Sequence, residues 1–135
     1  MALPKLNTQT YELEVPSTDE KIKYRPFLVK EEKILLQAQE GGEGEMMDAV
    51  ADVVTSCTFG KLDVNKLPSF DLEYIFLKIR SKAVGEKVTL NLPFPGDENV
   101  KVPTKVDLSK VEVHMDEEHT NKIDLTDQVS VVMRY

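Results

Sequence analysis

The segment that most constrains the fold is residues 67–86, LPSFDLEYIFLKIRSKAVGE, whose apolar residues lie nearly all the way round a helix. We expect this helix to be capped by Ser69, to reach about residue 82, and to stop before Gly85. Its apolar residues are Phe70, Leu72, Tyr74, Ile75, Phe76, Leu77 and Ile79. Such a helix must be covered on several sides, by the rest of the domain or by a partner. The sequence therefore predicts that this helix is the main core element.

The rest of the chain runs in the order strands, helices, strands, which indicates an α+β fold. Alternating apolar residues on either side of a turn at 16–20 predict an N-terminal β-hairpin. Two helices are expected next, at about 30–39 and 45–58, separated by the glycine-rich stretch 41–44. After Gly85 the apolar period changes from helical to alternating, which predicts a small antiparallel sheet that turns at 95–99.

Two further segments near the C-terminal end carry weaker patterns. The alternation of Val111, Val113 and Met115 suggests a short strand. Thr126 before Asp127, followed by an apolar stretch to residue 133, suggests a capped helix, although β-branched residues disfavour helices. A chain of 135 residues is the size of one domain, so we expect residues 1–135 to form a single α+β domain.

The charge balance argues against a nucleic-acid partner. Twenty-four acidic residues outnumber 17 basic ones, the net charge is -7, and the basic residues are not gathered into a run. Polyanion binding depends on clustered Lys and Arg. The first ten residues lack the apolar region of a secretory signal, and no apolar run is long enough to span a bilayer. We therefore expect an intracellular protein with no membrane partner, in which the single Cys57 is a core residue.

Candidate catalytic and metal-binding groups are few. His114 and His119 flank four residues, three of them acidic, so a zinc or manganese site is conceivable. Their spacing is not that of HExxH and the sequence has no third histidine, which favours a solvated acidic turn. The stretch 41–44 lacks the lysine of a phosphate-binding loop and contains a glutamate. The sequence predicts no cofactor, no metal and no catalytic residue; a small hydrolase that uses the region near His114 is the enzymatic alternative.

Three blocks of the chain together resemble a known family. They are residues 16–36, PSTDEKIKYRPFLVKEEKILL, residues 67–86, given above, and residues 118–135, EHTNKIDLTDQVSVVMRY. They resemble the baseplate hub subunit or hub assembly protein family of T-even-like contractile-tailed bacteriophages, over almost the whole chain. Members of that family extend further toward the C-terminus, so the resemblance implies that this chain corresponds to the N-terminal part of a longer member.

The resemblance implies a non-enzymatic function in assembly of the baseplate hub. Such a protein binds other hub or tail proteins, with the tape measure protein among the candidates, as an assembly chaperone in the host cytoplasm. The alternative is a permanent structural component of the virion baseplate. Some relatives carry a cysteine pair that suggests a zinc knuckle, but residues 92–99 contain no cysteine here, so a metal role does not transfer.

The sequence also suggests where a partner would bind. Aromatic residues and arginine are favoured at the centres of protein interfaces. We expect contacts from the first block and from the long apolar helix. The alternative is that their aromatic residues simply belong to the core. The predicted contact residues are Tyr24, Arg25, Phe27 and Lys30 in the first block, and Phe70, Tyr74 and Arg80 in the helix.

Overall fold

The N-terminal hairpin and three helices surround one apolar core in the computed structural model, which describes residues 7–133. Residues 1–6 and 134–135, which include part of the N-terminal segment assessed above, lie outside the described residues. Strands β1 and β2 pair antiparallel, with Tyr11 opposite Tyr24. The elements are β1 (Tyr11–Glu14), β2 (Lys21–Tyr24), α1 (Val29–Gly41), α2 (Glu43–Cys57) and α3 (Ser69–Ala83), with a 3-10 turn at Val64–Lys66.

The core is built from alternating positions of the hairpin and from one face each of α2 and α3. Ile75 and Ile79 of α3 are fully buried, as is Val54 of α2. Each fully buried aliphatic side chain contributes about 1.5–3 kcal/mol relative to an exposed one. The cluster also contains Leu13, Val15, Ile22, Tyr24, Val50, Val53, Cys57 and Leu72. The prediction that the long apolar helix is a main core element is therefore confirmed.

A polar contact ties the hairpin turn to the start of α3. Asp71 is completely buried and accepts hydrogen bonds from the backbone N–H of Ser17, at 3.3 Å, and from the Ser17 hydroxyl. A buried carboxylate needs such donors, because an unpaired one would carry a large desolvation cost. The helix itself begins at Ser69, with Pro68 as the N-cap. The sequence-based choice of Ser69 as the cap is therefore wrong by one position.

A single residue, Gly42, separates α1 from α2. Its backbone has φ 107° and ψ -178°, a region that is essentially restricted to glycine. The chain can therefore leave one helix and enter the next without a longer loop. The glycine-rich stretch 41–44 acts as predicted in ending α1, but most of it belongs to the two helices.

Phe59 ends α2 in a left-handed backbone conformation, with φ 61°. The N–H of Phe59 donates to the carbonyl of Ser56 at 3.4 Å, and the N–H of Gly60 donates to that of Thr55 at 2.9 Å. These two bonds form a Schellman motif, in which glycine is the usual left-handed residue. A side chain at this position costs about 1–2 kcal/mol. The Phe59 ring is nonetheless 50% exposed, so its burial offsets only part of that cost.

Phe59→Gly is therefore expected to be more stable than Phe59→Ala by roughly 0.5–1 kcal/mol. Relief of the left-handed strain, about 1–2 kcal/mol, exceeds the entropic cost of glycine, about 0.5–1 kcal/mol. Urea denaturation of the two proteins measures the difference. Phe59→Ala is the matched control, because it removes the ring but keeps the strain. Equal stability of the glycine and alanine variants would show that the backbone at this position is not strained.

The C-terminal half forms two separate hairpins rather than one sheet. Strands β3 (Lys87–Phe94) and β4 (Asp97–Asp107) pair antiparallel, and so do β5 (Lys122–Thr126) and β6 (Val129–Val132). A 3-10 turn at Leu108–Lys110 follows β4. In the first hairpin Pro95 and Gly96 occupy the turn, and Gly96 has φ 115°, as the third residue of a type II turn requires. The predicted α+β fold is confirmed.

Two sequence-based assignments are wrong in this half. The segment 126–133 is not a helix, because it supplies the turn and second strand of the β5–β6 hairpin, with Ile123 opposite Val131. Its β-branched valines suit a strand, and Asp127 and Gln128 make the turn. The segment 111–115 is not a strand, since its backbone pairs with no neighbouring strand in the described part of the chain.

Candidate interaction surface

The four predicted contact residues of the first block have different environments. Tyr24 is buried in the core, with its ring centroid 5.7 Å from that of Tyr11, and burial raises its pKa. Phe27 packs, partly buried, against the same core. Lys30 is exposed, with its Nζ 3.7 Å from Oε1 of Glu31. Lys30 is therefore the member of this block whose charged group faces solvent.

Arg25 belongs to a buried polar network centred on Glu31. Its Nη2 donates to Oε1 of Glu31 at 2.9 Å and to the Ser56 hydroxyl at 3.1 Å, and that hydroxyl donates to Glu31 at 3.1 Å. The backbone N–H of Leu28 donates to the other Glu31 oxygen at 2.8 Å, as in one half of a capping box. The network joins the end of β2 to the start of α1 and the end of α2. Arg25 thus has a structural role, and partner contact by Arg25 stays a prediction.

The pKa of Glu31 reflects the balance between burial and the hydrogen bonds that this carboxylate accepts. Burial alone raises the pKa, because it disfavours the charged form. The hydrogen bonds from Arg25 and Leu28, together with the positive charge of Arg25, outweigh burial and hold the pKa of Glu31 at about 2. Glu31 is only 1% exposed, so it is a buried ion with its full set of partners.

The three predicted contact residues of α3 are neither fully buried nor fully exposed. Phe70 and Arg80 are half-buried, and Tyr74 packs partly buried against the core. The Nζ of Lys78 lies 5.1 Å from the centroid of the Tyr74 ring. Tyr74 also lines an open surface groove of about 700 Å³ together with Glu14, Glu112 and His114. The structure does not gather the seven predicted residues into one face, and their contact with a partner stays a prediction.

The candidate chemical groups are also placed. Cys57 is fully buried, as predicted, and burial raises the pKa of its thiol to about 11, so the thiol is protonated at neutral pH. His114 lies in the open groove just described. Within residues 7–133, no three His, Cys, Asp or Glu side chains are grouped closely enough to hold a metal ion. Among the same residues, no helix has the length and apolar character needed to cross a bilayer.

The β3–β4 hairpin has one apolar face, and that face is exposed. Val88, Leu90 and Leu92 point to one side of β3, because side chains alternate along a strand. Their partners across the pair are Val106, Thr104 and Val102. Leu90, Leu92 and Val102 are each 42–45% exposed. The opposite face carries Lys87, Thr89, Asn91, Lys101, Lys105 and Asp107. The hairpin is therefore amphipathic, and no described element covers its apolar side.

Prolines on both strands limit how this hairpin can be extended. Pro103 lies opposite Asn91, and Pro93 lies opposite Lys101. Proline has no N–H to donate, so within a sheet it takes positions where its nitrogen faces away from the neighbouring strand. Each outer edge of the hairpin therefore lacks a donor, which opposes the addition of a further strand. The prolines do not affect the apolar face, so the hairpin can still bind a partner through that face.

The 3-10 turn after β4 attaches the β3–β4 hairpin to the rest of the fold. Leu108 is buried, and its N–H donates to the carbonyl of Glu86 at 2.7 Å. Lys78 of α3 donates from Nζ to the carbonyl of Ser109 at 2.9 Å. Asp107 accepts from the N–H of Ser109 at 3.0 Å, and hydrogen bonds from Ser109 lower its pKa. The base of the hairpin is thus fixed to α3, while the rest of its two strands contributes no residue to the apolar core.

The β5–β6 hairpin is amphipathic in the same way. Ile123 lies opposite Val131, and Val129 shares the face of Val131 by alternation. Leu125 is the extra residue at the register shift between Asp124 and Thr126. These four side chains are 39–63% exposed. Met133 extends the face, because its N–H donates to the carbonyl of Asn121 at 2.7 Å and continues the pairing. This hairpin hardly touches the other helices and strands, so its apolar face is uncovered.

The total accessible surface shows how much of the chain lies outside the core. The protein exposes 10556 Å². A compact monomer of 15.3 kDa would expose about 7,100 Å². The excess, about 3,400 Å², is several times the ~800 Å² that each partner contributes to a standard protein interface. The apolar faces of the two hairpins, whose side chains are exposed as described above, form the candidate interaction surface.

Sequence reasoning missed this surface for a specific reason. The alternation of Val88, Leu90 and Leu92 correctly predicted a strand with one apolar face, but the pattern is the same whether or not that face is covered. For the second hairpin a signal was present in the sequence. Ile123 and Leu125 alternate with polar residues, and a two-residue Asp-Gln turn separates them from Val129 and Val131.

Comparison with models of known protein families identifies a related family. The family model described as T4 bacteriophage base plate protein matches residues 8–135. It covers both hairpins as well as the helical core. No curated protein and no solved structure matches the chain.

Proposed function

The chain belongs to the family of T4 bacteriophage base plate proteins, and on that premise we propose that it acts as an assembly chaperone of the baseplate hub. A baseplate protein works by contact with other tail proteins. In this proposal the chain binds a hub protein or the tape measure protein in the host cytoplasm and presents it for assembly. It acts by binding and catalyses no reaction.

The observation that carries the proposal is the exposed apolar face of the β3–β4 hairpin. Leu90, Leu92 and Val102 are nearly half exposed, although they occupy the positions that a sheet normally buries. A contiguous exposed apolar face with polar residues around it is typical of an interaction site. The net charge of -7 opposes self-aggregation of the chain before its partner binds the patch.

A triple variant tests the proposal in infected cells. Leu90→Ser, Leu92→Ser and Val102→Ser together make the face polar, and we expect the yield of assembled baseplates to fall at least tenfold, about 1.4 kcal/mol or more of binding. Helical circular dichroism of the purified variant should stay unchanged, because the hairpin lies outside the core. The matched control is Thr89→Ser, Asn91→Ser and Lys105→Ser on the opposite face, which should assemble normally. Normal assembly by the apolar-face variant would contradict the proposal.

Mass spectrometry of purified phage separates the chaperone from the alternative. A chaperone leaves before completion, so the chain should be absent from the finished particle. A stoichiometric amount of the chain in the particle would instead make it a permanent structural component of the baseplate hub.

The residues first suggested for contact can be tested in the same assay. Lys30→Gln removes the exposed charge of Lys30 without adding a carboxylate beside Glu31. Arg80→Glu changes a charge that lies outside the Glu31 network, so it probes contact without disturbing that network. A matching change at Arg25 would place two carboxylates together inside the fold and report on folding instead.

A further inference from the structure

The β5–β6 hairpin combines its exposed apolar face with an excess of negative charge. A turn containing Asp116, Glu117 and Glu118 comes just before the open end of the hairpin, and Asp127 lies in the turn at its closed end. Asp124 lies between them, 3.5 Å from Lys122. Residues 116–133 therefore hold five carboxylates and one lysine.

We propose that the apolar face of the β5–β6 hairpin binds a cationic amphipathic segment of another tail protein. This inference rests on the proposed function and names the chemistry of the partner. Apolar residues of the segment cover Ile123, Leu125, Val129 and Val131, while its lysines or arginines face the carboxylates at the two ends of the hairpin. Complementary charge of this kind selects the partner and speeds its association.

The charge also argues against a second copy of this chain as the occupant. Two β5–β6 faces packed together would bring two sets of five carboxylates close to each other, and like charges in contact across an interface cost several kcal/mol. The β3–β4 hairpin differs, because its three lysines balance its three acidic residues. The two hairpins therefore present apolar faces with different charge, which suits two different contacts.

Calorimetric titration of the full chain with two synthetic peptides tests the inference. One peptide is an amphipathic helix of about 18 residues, or ~27 Å, with leucines on one side and lysines on the other. The second has glutamate in place of every lysine. We expect the lysine peptide to bind at least about tenfold more tightly. The preference should shrink when salt rises from ~0.1 M to ~1 M, as the screening length falls from about 10 Å to 3 Å.

Three variants assign the binding to this surface. Ile123→Ser with Val131→Ser should weaken binding of the lysine peptide at least about tenfold, since it removes a facing apolar pair. Asp116→Asn, Glu117→Gln and Glu118→Gln should bring the two peptides close to equal affinity. The control, Glu43→Gln, Glu45→Gln and Asp48→Asn, removes the same charge from exposed positions of α2 and should keep the preference.

Several results would overturn the inference. One is equal binding of the two peptides, and another is unchanged binding by the Ile123 and Val131 variant. A third is a dimer in sedimentation that this variant dissolves, because the face would then be covered by a second copy. In the infected-cell assay, normal assembly by this variant together with failure of the β3–β4 variant would reject the inference alone. Normal assembly by the β3–β4 variant would reject the proposed function.

Discussion

Glu31→Ala is expected to lower the free energy of unfolding by about 3–5 kcal/mol. The change removes the partner of Arg25 inside the fold and leaves the N–H of Leu28 without its acceptor. Breaking one side of a buried ion pair is costly, because the remaining charge has lost its compensation. Urea denaturation followed by circular dichroism measures the loss.

The neighbouring residue provides the control for this prediction. Glu32→Ala changes an exposed carboxylate of the same helix and should alter stability by no more than about 0.5 kcal/mol. The double variant Arg25→Met with Glu31→Leu should recover part of the loss, because an apolar pair replaces both charges. A cost below about 1 kcal/mol for Glu31→Ala would show that the network contributes little to stability.

The same residue gives the fold a defined acid sensitivity. The pKa of Glu31 is about 2 in the folded chain, below its ordinary value of 4.5. A carboxylate whose pKa falls on folding stabilises the protein above the unfolded pKa, and this stabilisation is lost as the pH drops toward the folded pKa. The difference in stability between wild type and Glu31→Ala should therefore be constant above about pH 5 and shrink toward pH 2. A difference that does not change with pH would contradict the assignment.

Ile75→Ala is expected to cost about 2–5 kcal/mol, because it opens a cavity at a fully buried position of α3. Ile123→Ala, the same substitution on β5, should cost no more than about 0.5 kcal/mol, since that side chain is 50% exposed. Thermal and urea unfolding of the two variants provide the comparison.

The order of effects of Ile75→Ala and Ile123→Ala should reverse when peptide binding is measured instead of stability. At a temperature where both variants are folded, Ile75→Ala should bind the lysine peptide as the wild type does, and Ile123→Ala should bind it more weakly. Equal destabilisation by the two substitutions would show that the β5–β6 hairpin is packed into the core of the free chain.

The helical half of the fold could be predicted because its signals are local. Gly42 and Gly85 end helices through backbone geometry, and the spacing of Leu72, Ile75 and Ile79 defines a helix face. The almost all-round apolarity of α3 is explained within the chain. One face is buried completely, and Tyr74 and Phe76 on its flanks are partly buried against the same cluster.

The candidate interaction surface could not be predicted, because it exists only where no other element packs against the apolar faces of the hairpins. Alternation specifies that Leu90 and Ile123 lie on apolar faces, but tertiary packing decides whether anything covers those faces. The role of Arg25 was also hidden in the sequence. Arg25 and Ser56 are 31 residues apart and meet only because α2 returns to the end of β2.

The position of the core along the chain has a consequence for synthesis on the ribosome. Every member of the apolar cluster lies between Leu13 and Ile79. Since N-terminal parts of a chain emerge and fold first, this cluster can close before residues 87–132 have emerged from the ribosome. The β3–β4 and β5–β6 hairpins then emerge beside a body that is already folded. Their exposed apolar faces thus appear after the core has closed, which shortens the time in which they could be trapped in the wrong contact.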